Sequence, residues 1–207
     1  MSPRRSAAAA RETREEIVAR AVAVASTDGL EGLTIGRLAG DLSMSKAGVI
    51  GHFGTKERLQ LAALEEAIAI FTREVWTPVA ALPAGLDRLL AICDAWIAHL
   101  QSGVFPGGCF LTAASMEFDG RAGPVRERVI AGFEQWRAAV ERDVRAAVKA
   151  GQLPAATDPA QVWFELNALA IGLNQALQLL GDDEAPARAR LAMRRAIGVG
   201  AGMEAAG

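Results

Sequence analysis

Two short helical segments stand only two residues apart between residues 34 and 57, and that spacing constrains the fold more than any other feature of the chain. The first, about 34–42, opens on Thr34 and the second, about 45–53, opens on Ser45. Both residue types cap helix N-termini by accepting a bond from a free backbone amide. With only Ser43 and Met44 between them, the segments must pack against each other as a helix-turn-helix. Leu38, Ala39, Leu42, Met44, Val49 and Phe53 supply the small core that locks the pair. The second helix of such a unit can enter a DNA major groove about 12 Å wide.

The remaining chain reads as helix throughout. Apolar residues recur at helical spacing over about 8–28, where Gly29 stops the run, and again over about 56–76, capped by Thr55 and ended by Pro78 and Pro83. Further helices are expected over about 84–102, in a short stretch after Pro106-Gly107-Gly108, and over about 124–150, 159–180 and 185–199. The 124–150 segment places Val125, Val129, Phe133, Trp136, Val140 and Val144 along one side. Ala and Leu are abundant, Tyr is absent and no strand pattern competes, so the fold class is all-α.

Charge and cysteine content narrow the setting. The net charge is −2, but residues 1–60 carry nine Lys/Arg against seven Asp/Glu, whereas residues 61–207 carry thirteen against seventeen. The small positive excess is therefore N-terminal and includes Arg4 and Arg5, a candidate basic arm. Cys93 and Cys109 fit neither a disulfide framework nor metal-ligand spacing, which suits a reducing cytoplasm. No signal peptide is read, because Arg20 breaks the apolar stretch after Glu15 and Glu16. The most apolar segment, 162–180, contains Glu165, Asn167, Asn174, Gln175 and Gln178, so it reads as a buried helix with no membrane partner.

The stretches Leu33-Thr34-Ile35-Gly36-Arg37-Leu38-Ala39 and Met44-Ser45-Lys46-Ala47-Gly48-Val49-Ile50-Gly51-His52-Phe53-Gly54-Thr55-Lys56-Glu57 resemble the DNA-binding signature of the tetracycline-repressor-like (TetR) family of transcriptional regulators. The match spans about residues 13–65. It implies a three-helix DNA-binding head over 8–58 and a helical ligand-binding and dimerisation domain over 59–202. Ser45, Lys46, Ala47 and Gly48 would face base edges or adjacent phosphates, with Ile50 beside them. Thr34, Arg37, His52, Thr55 and Lys56 would hold the backbone. Two positions depart from the family pattern. Ile50 stands where an aromatic, often Tyr, reaches a phosphate, and Ser43 stands where Gly is usual, so a positive φ there would cost about 1 kcal/mol.

The resemblance further implies a homodimer on double-stranded, palindromic operator DNA, released as a repressor by a small, largely apolar or aromatic effector. No cofactor or metal is implied. Pairing of the last two long helices with their mates draws on Leu166, Leu173, Leu177, Leu180, Leu191 and Arg194. The 159–180 helix carries two apolar stripes, one on Leu166, Leu169, Leu173, Leu177 and Leu180 and one around Phe164, Ala168, Ile171 and Gln175. One can serve the chain's own core and the other a partner. Candidate effector contacts are Phe71, Trp76, Trp96, His99, Phe105, Cys109, Phe110, Met116, Trp163, Asn167 and Asn174, each with core packing as its competing role. The stretch from Gly108-Cys109-Phe110-Leu111 through Glu117-Phe118-Asp119-Gly120-Arg121 looks like one recurrent in a TetR subgroup. An enzyme is the rival reading, but no nucleophile motif, metal spacing or phosphate loop supports it. The alternative within the same DNA-binding role is redox sensing by cysteine.

Overall fold

Apolar spacing, caps and glycine stops set the helix boundaries in the computed structural model, which describes residues 3–199. Helix α1 (Pro3–Gly32) is broken at Gly29, whose φ of 76° and ψ of 165° end the regular helix where the sequence predicts it. Then come α2 (Ile35–Asp41), α3 (Lys46–Phe53) and α4 (Lys56–Phe71). The last runs on through a π-helical turn, Thr72–Trp76, and a 3₁₀ turn, Thr77–Val79. The chain continues with α5 (Leu86–Gln101), α6 (Phe110–Phe118), α7 (Pro124–Lys149), α8 (Pro159–Gln178) and α9 (Ala185–Ile197). No strand occurs among the described residues, so the all-α expectation holds.

Contacts group the chain into two compact units, Met1–Ala69 with Phe105–Ile130 and Ile70–Val104 with Ala131–Gly207. These units follow chain contacts, since α4 runs unbroken through residue 58 and α6 packs on α1. In the first unit Ile17, Leu30, Leu33, Leu38, Leu59 and Leu64 are fully buried. The approach of the segment before α6 to α1 requires glycine: a Cβ on Gly107 would lie 1.7 Å from the Ser26 carbonyl oxygen.

The second unit is built on α5, α8 and α9, which pack mutually around Leu89, Ile92, Ile97, Leu166, Met193 and Ile197. Asp158 caps α8 by accepting from Ala160 N at 2.9 Å, and Pro159 pre-sets its first turn. A buried ion pair stitches α5 to α7. Arg88 Nε donates to both oxygens of Asp143 at 3.1 and 3.0 Å, Nη2 to Oδ1 at 2.6 Å, and Nη1 to the Leu82 carbonyl at 3.0 Å. The guanidiniums of Arg88 and Arg142 lie 5.2 and 5.3 Å from the Trp76 ring centroid. Trp76, a candidate effector contact by sequence, thus packs against two cations.

Candidate nucleic-acid interface and aromatic cluster

The turn between α2 and α3 is held by its own backbone. Leu42 N donates to Leu38 O at 3.0 Å, Ser43 N to Gly40 O at 3.2 Å and Met44 N to Ala39 O at 2.8 Å. Closing the turn puts Ser43 at φ 54°, the left-handed conformation expected from its place in the motif. Both caps form as the sequence predicts. Thr34 Oγ1 accepts from Arg37 N at 3.2 Å, and Ser45 Oγ accepts from Gly48 N at 3.0 Å. Thr55 Oγ1 does the same for Arg58 N at 3.2 Å at the head of α4. Val49 and Phe53 turn inward beside Leu38 and Ala39, while Leu42 and Met44 are half-buried. Ser45, Lys46, Ala47 and Ile50 are exposed, with Gly48 and His52 half-buried, so one end of α3 is bare and free of large side chains apart from Lys46.

The cations of this face differ in their partners. Arg37 is paired with Asp28 and lies 3.9 Å from Asp41, which also accepts from Arg20 at 2.7 Å. Lys56 Nζ donates to the Glu31 carbonyl at 2.8 Å and its carboxylate at 3.2 Å. Among the described residues Lys46 makes no ion pair. The Arg4 and Arg5 side chains lie outside the described residues. Glu31 gathers donors: Gln60 at 3.1 Å holds its carboxyl below the usual carboxylate range, helped by Lys56 and Arg121. Next to it, Glu117 of α6 accepts from Leu30 N and Glu31 N, both at 2.8 Å. These are the amides freed by the break at Gly29, so a carboxylate distant in sequence caps the new turn.

In the second unit five rings meet. Phe71 is edge-on to Trp96, His99 and Trp136, with centroids 6.2, 5.3 and 5.1 Å apart. Trp96 is edge-on to Trp136 at 5.6 Å and parallel to Trp163 at 6.3 Å. The π-helical turn after α4 presents Glu74, whose Oε2 lies 2.8 Å from His99 Nδ1. The indole N–H groups of Trp96 and Trp136 are buried with no hydrogen-bond partner among the described residues.

The family described as "Tetracyclin repressor-like, C-terminal domain" matches residues 85–193, more than half of the chain. The chain belongs to the TetR family. As a member it is a DNA-binding transcriptional regulator. A TetR regulator from Chloroflexus aurantiacus is similar at 24% identity, covering 91% of this chain and 96% of its own, with a TM-score of 0.84. AibR in complex with isovaleryl coenzyme A and operator DNA is similar at 21% identity over 79% of this chain and 84% of its own, TM-score 0.64. A putative transcriptional regulator from Saccharomonospora viridis in complex with choline is 19% identical over 91% and 96%, TM-score 0.71. Among curated proteins none matches.

For this TetR chain the expected effector residues fall into two groups. Phe71, Trp96, His99 and Trp163 meet in the aromatic cluster, and Asn167 and Asn174 are half-buried on α8 of the same unit. Phe105, Cys109, Phe110 and Met116 belong to the other unit, where Phe105 and Phe110 pair at 5.7 Å and Met116 is exposed. Sequence reasoning missed Trp136 as a cluster member and Glu74 altogether; Trp136 had been visible as part of the α7 stripe. Of the expected dimer residues, Leu166 and Leu173 are buried in the chain's own core and Leu177 is half-buried, whereas Leu180, Leu191 and Arg194 are exposed. The second stripe is outside, with Phe164 67% exposed, and Leu179 is 73% exposed. Both cysteines are buried thiols, and burial, with the neighbouring Asp94 charge, pushes Cys93 up to about 12. Such a group supplies almost no thiolate at neutral pH. Among the described residues no cluster of metal-ligating side chains occurs, and no helix is long and apolar enough to cross a membrane.

Proposed function

We propose that the chain is a homodimeric repressor that leaves a palindromic operator when a small, largely apolar or aromatic effector binds its helical body. The observation that carries this reading is the bare Ser45–Ala47 end of α3, held at a fixed angle by a capped turn with its apolar side closed by Val49 and Phe53. Ser45, Lys46, Ala47 and Gly48 approach the base edges, Ile50 meets a thymine methyl, and Thr34, Arg37, His52, Thr55 and Lys56 grip phosphates. Arg37 and Lys56 exchange their carboxylate partners for phosphate as they do so. The functional head is 8–58 and the regulatory and dimerising part 59–202.

Two copies joined through α8 and α9 present their α3 helices to half-sites about 34–36 Å apart, or a multiple of that. An effector that favours a different head separation weakens operator binding by its differential affinity, about 1–3 kcal/mol. The aromatic cluster supports a ligand-binding body, and the burial of Cys93 speaks against sensing through that thiol. Footprinting on DNA upstream of the chain's own gene tests the reading. A two-fold protected site bound by a dimer is expected; no binding, or a monomer on an asymmetric site, overturns it.

A further inference from the structure

The aromatic cluster holds two donors with no acceptor among the described residues. Trp96 is 5% exposed, Trp136 packs edge-on against it, and both indole N–H groups are buried and unpartnered. A buried N–H left without an acceptor carries its desolvation penalty uncompensated, and buried indoles ordinarily find a partner. The surroundings are equally unusual. The helix leading into the cluster loosens into a π turn at Thr72–Trp76, a form rare in helices and frequent at functional sites.

We propose that Trp96 and Trp136 form the donor site for the effector, which is a neutral molecule carrying a carbonyl or similar acceptor oxygen on an aromatic or otherwise apolar frame. This rests on the ligand-responsive reading above and names the ligand class. Neutrality follows from the charges in the same unit. An anionic ligand would need a cation, but the buried Arg88 has its guanidinium bonded to Asp143 and the Leu82 carbonyl, His99 faces the Glu74 carboxylate, and Arg142 is exposed over the Trp76 ring. A quaternary ammonium would need open ring faces and a carboxylate; here Phe71, Trp96 and Trp136 meet edge to face, and Glu74 is engaged by His99. It would also leave both indole donors unpaired. An acceptor oxygen gives such a donor its missing partner, and an apolar frame replaces ring–ring contacts with ligand–ring contacts at little loss. The competing account is that each N–H points at the other's ring, a weak N–H to π contact complete without a ligand.

The chain has four tryptophans, so the ¹⁵N-labelled protein shows four indole N–H resonances at most, assigned through Trp96→Phe and Trp136→Phe. The probes are acetophenone and 2-acetylnaphthalene, with ethylbenzene and 2-ethylnaphthalene as partners lacking the acceptor and phenyltrimethylammonium as the cation. The acetyl compounds are expected to bind about tenfold tighter than their ethyl partners and to move the Trp96 and Trp136 indole protons downfield. Trp96→Phe or Trp136→Phe should remove most of that preference while leaving the unfolding midpoint unchanged or raised. Equal binding of the ethyl compounds, tighter binding of the ammonium, no binding by any probe, or indole protons found upfield and unmoved would overturn the proposal. A two-fold operator footprint that persists alongside such a result sinks this site alone; loss of the footprint sinks the regulator reading instead.

Discussion

Ser43 carries the clearest local strain in the head, because its φ of 54° is a conformation that glycine adopts freely and serine does not. Its backbone is fixed there by the Ser43 N and Met44 N bonds to α2, so the chain cannot relax the residue without opening the turn. Ser43→Gly is therefore expected to raise stability by about 0.5–1 kcal/mol, the relief of strain exceeding the added freedom of the unfolded chain. A shift in the urea midpoint at constant slope checks it; a loss of stability would contradict the account. Lys46 bears on a different quantity. It is exposed at the bare end of α3 without a carboxylate partner among the described residues, so its charge is available to displace counterions from a phosphate. Lys46→Ala should weaken operator and random DNA alike and lower the slope of log K against log salt by about 0.9. An affinity loss independent of salt would show that Lys46 reads a base instead.

Helix ends, more than helix interiors, show where information in this sequence is local and where it is not. The break at Gly29, the turn at Ser43, and the caps at Thr34, Ser45 and Thr55 depend on residues within four positions, and the sequence reveals them. The candidate DNA face was legible for the same reason. The cap that Glu117 provides to Leu30 and Glu31 was not, because it joins residues 86 and 87 positions apart. Nor was the π turn, whose apolar pattern is that of any helix, or the joining of Trp136 to Phe71 and Trp96. Which of the α8 stripes is inward was equally hidden, since both have helical period and only packing on α5 and α9 decides. Glu117→Gln should cost about 1–3 kcal/mol, since an amide keeps one acceptor and turns a donor toward an amide. Hydrogen exchange at Leu30 and Glu31 should quicken, and unchanged rates would refute the cap. Glu31 adds a pH dependence. Its folded-state carboxyl is held below the 4.5 of a free glutamate, so its contribution is complete above that value and fades as the pH falls through the lower one. The group is largely exposed, which limits the effect to a few tenths of a kcal/mol. The stability difference between the parent and Glu31→Gln should shrink as the pH is lowered from about 5 to about 3; a difference that grows would reverse the sign.

At the scale of the whole molecule, the proposed reading requires α3, a helix of eight residues, to gain enough affinity to regulate. On that reading one copy offers few base-reading side chains, and residues 1–60 have an excess of only two positive charges, so a single head is expected to bind weakly. In the proposed dimer, coupling two heads makes the second contact intramolecular and raises affinity without any new contact. The surface proposed to do this is exposed. Phe164, Leu179, Leu180 and Leu191 are large apolar side chains left exposed on α8, α9 and the turn between them, while Arg194 and Arg195 stand exposed near the end of α9. An apolar centre with a charged rim is the usual anatomy of a pairing surface. The inward Leu166 and Leu173 supply the rigid backing. Phe164→Glu combined with Leu180→Glu places charge on that surface without touching the chain's core, so the variant should stay helical with a nearly unchanged unfolding midpoint at high dilution. Sedimentation should then show a monomer, and operator affinity should fall by at least about a hundredfold, while weak binding to a single half-site persists. If the double variant remained a dimer, pairing would have to run through another face. If it became a monomer and still bound the full operator tightly, the coupling of two heads would not be what makes recognition strong.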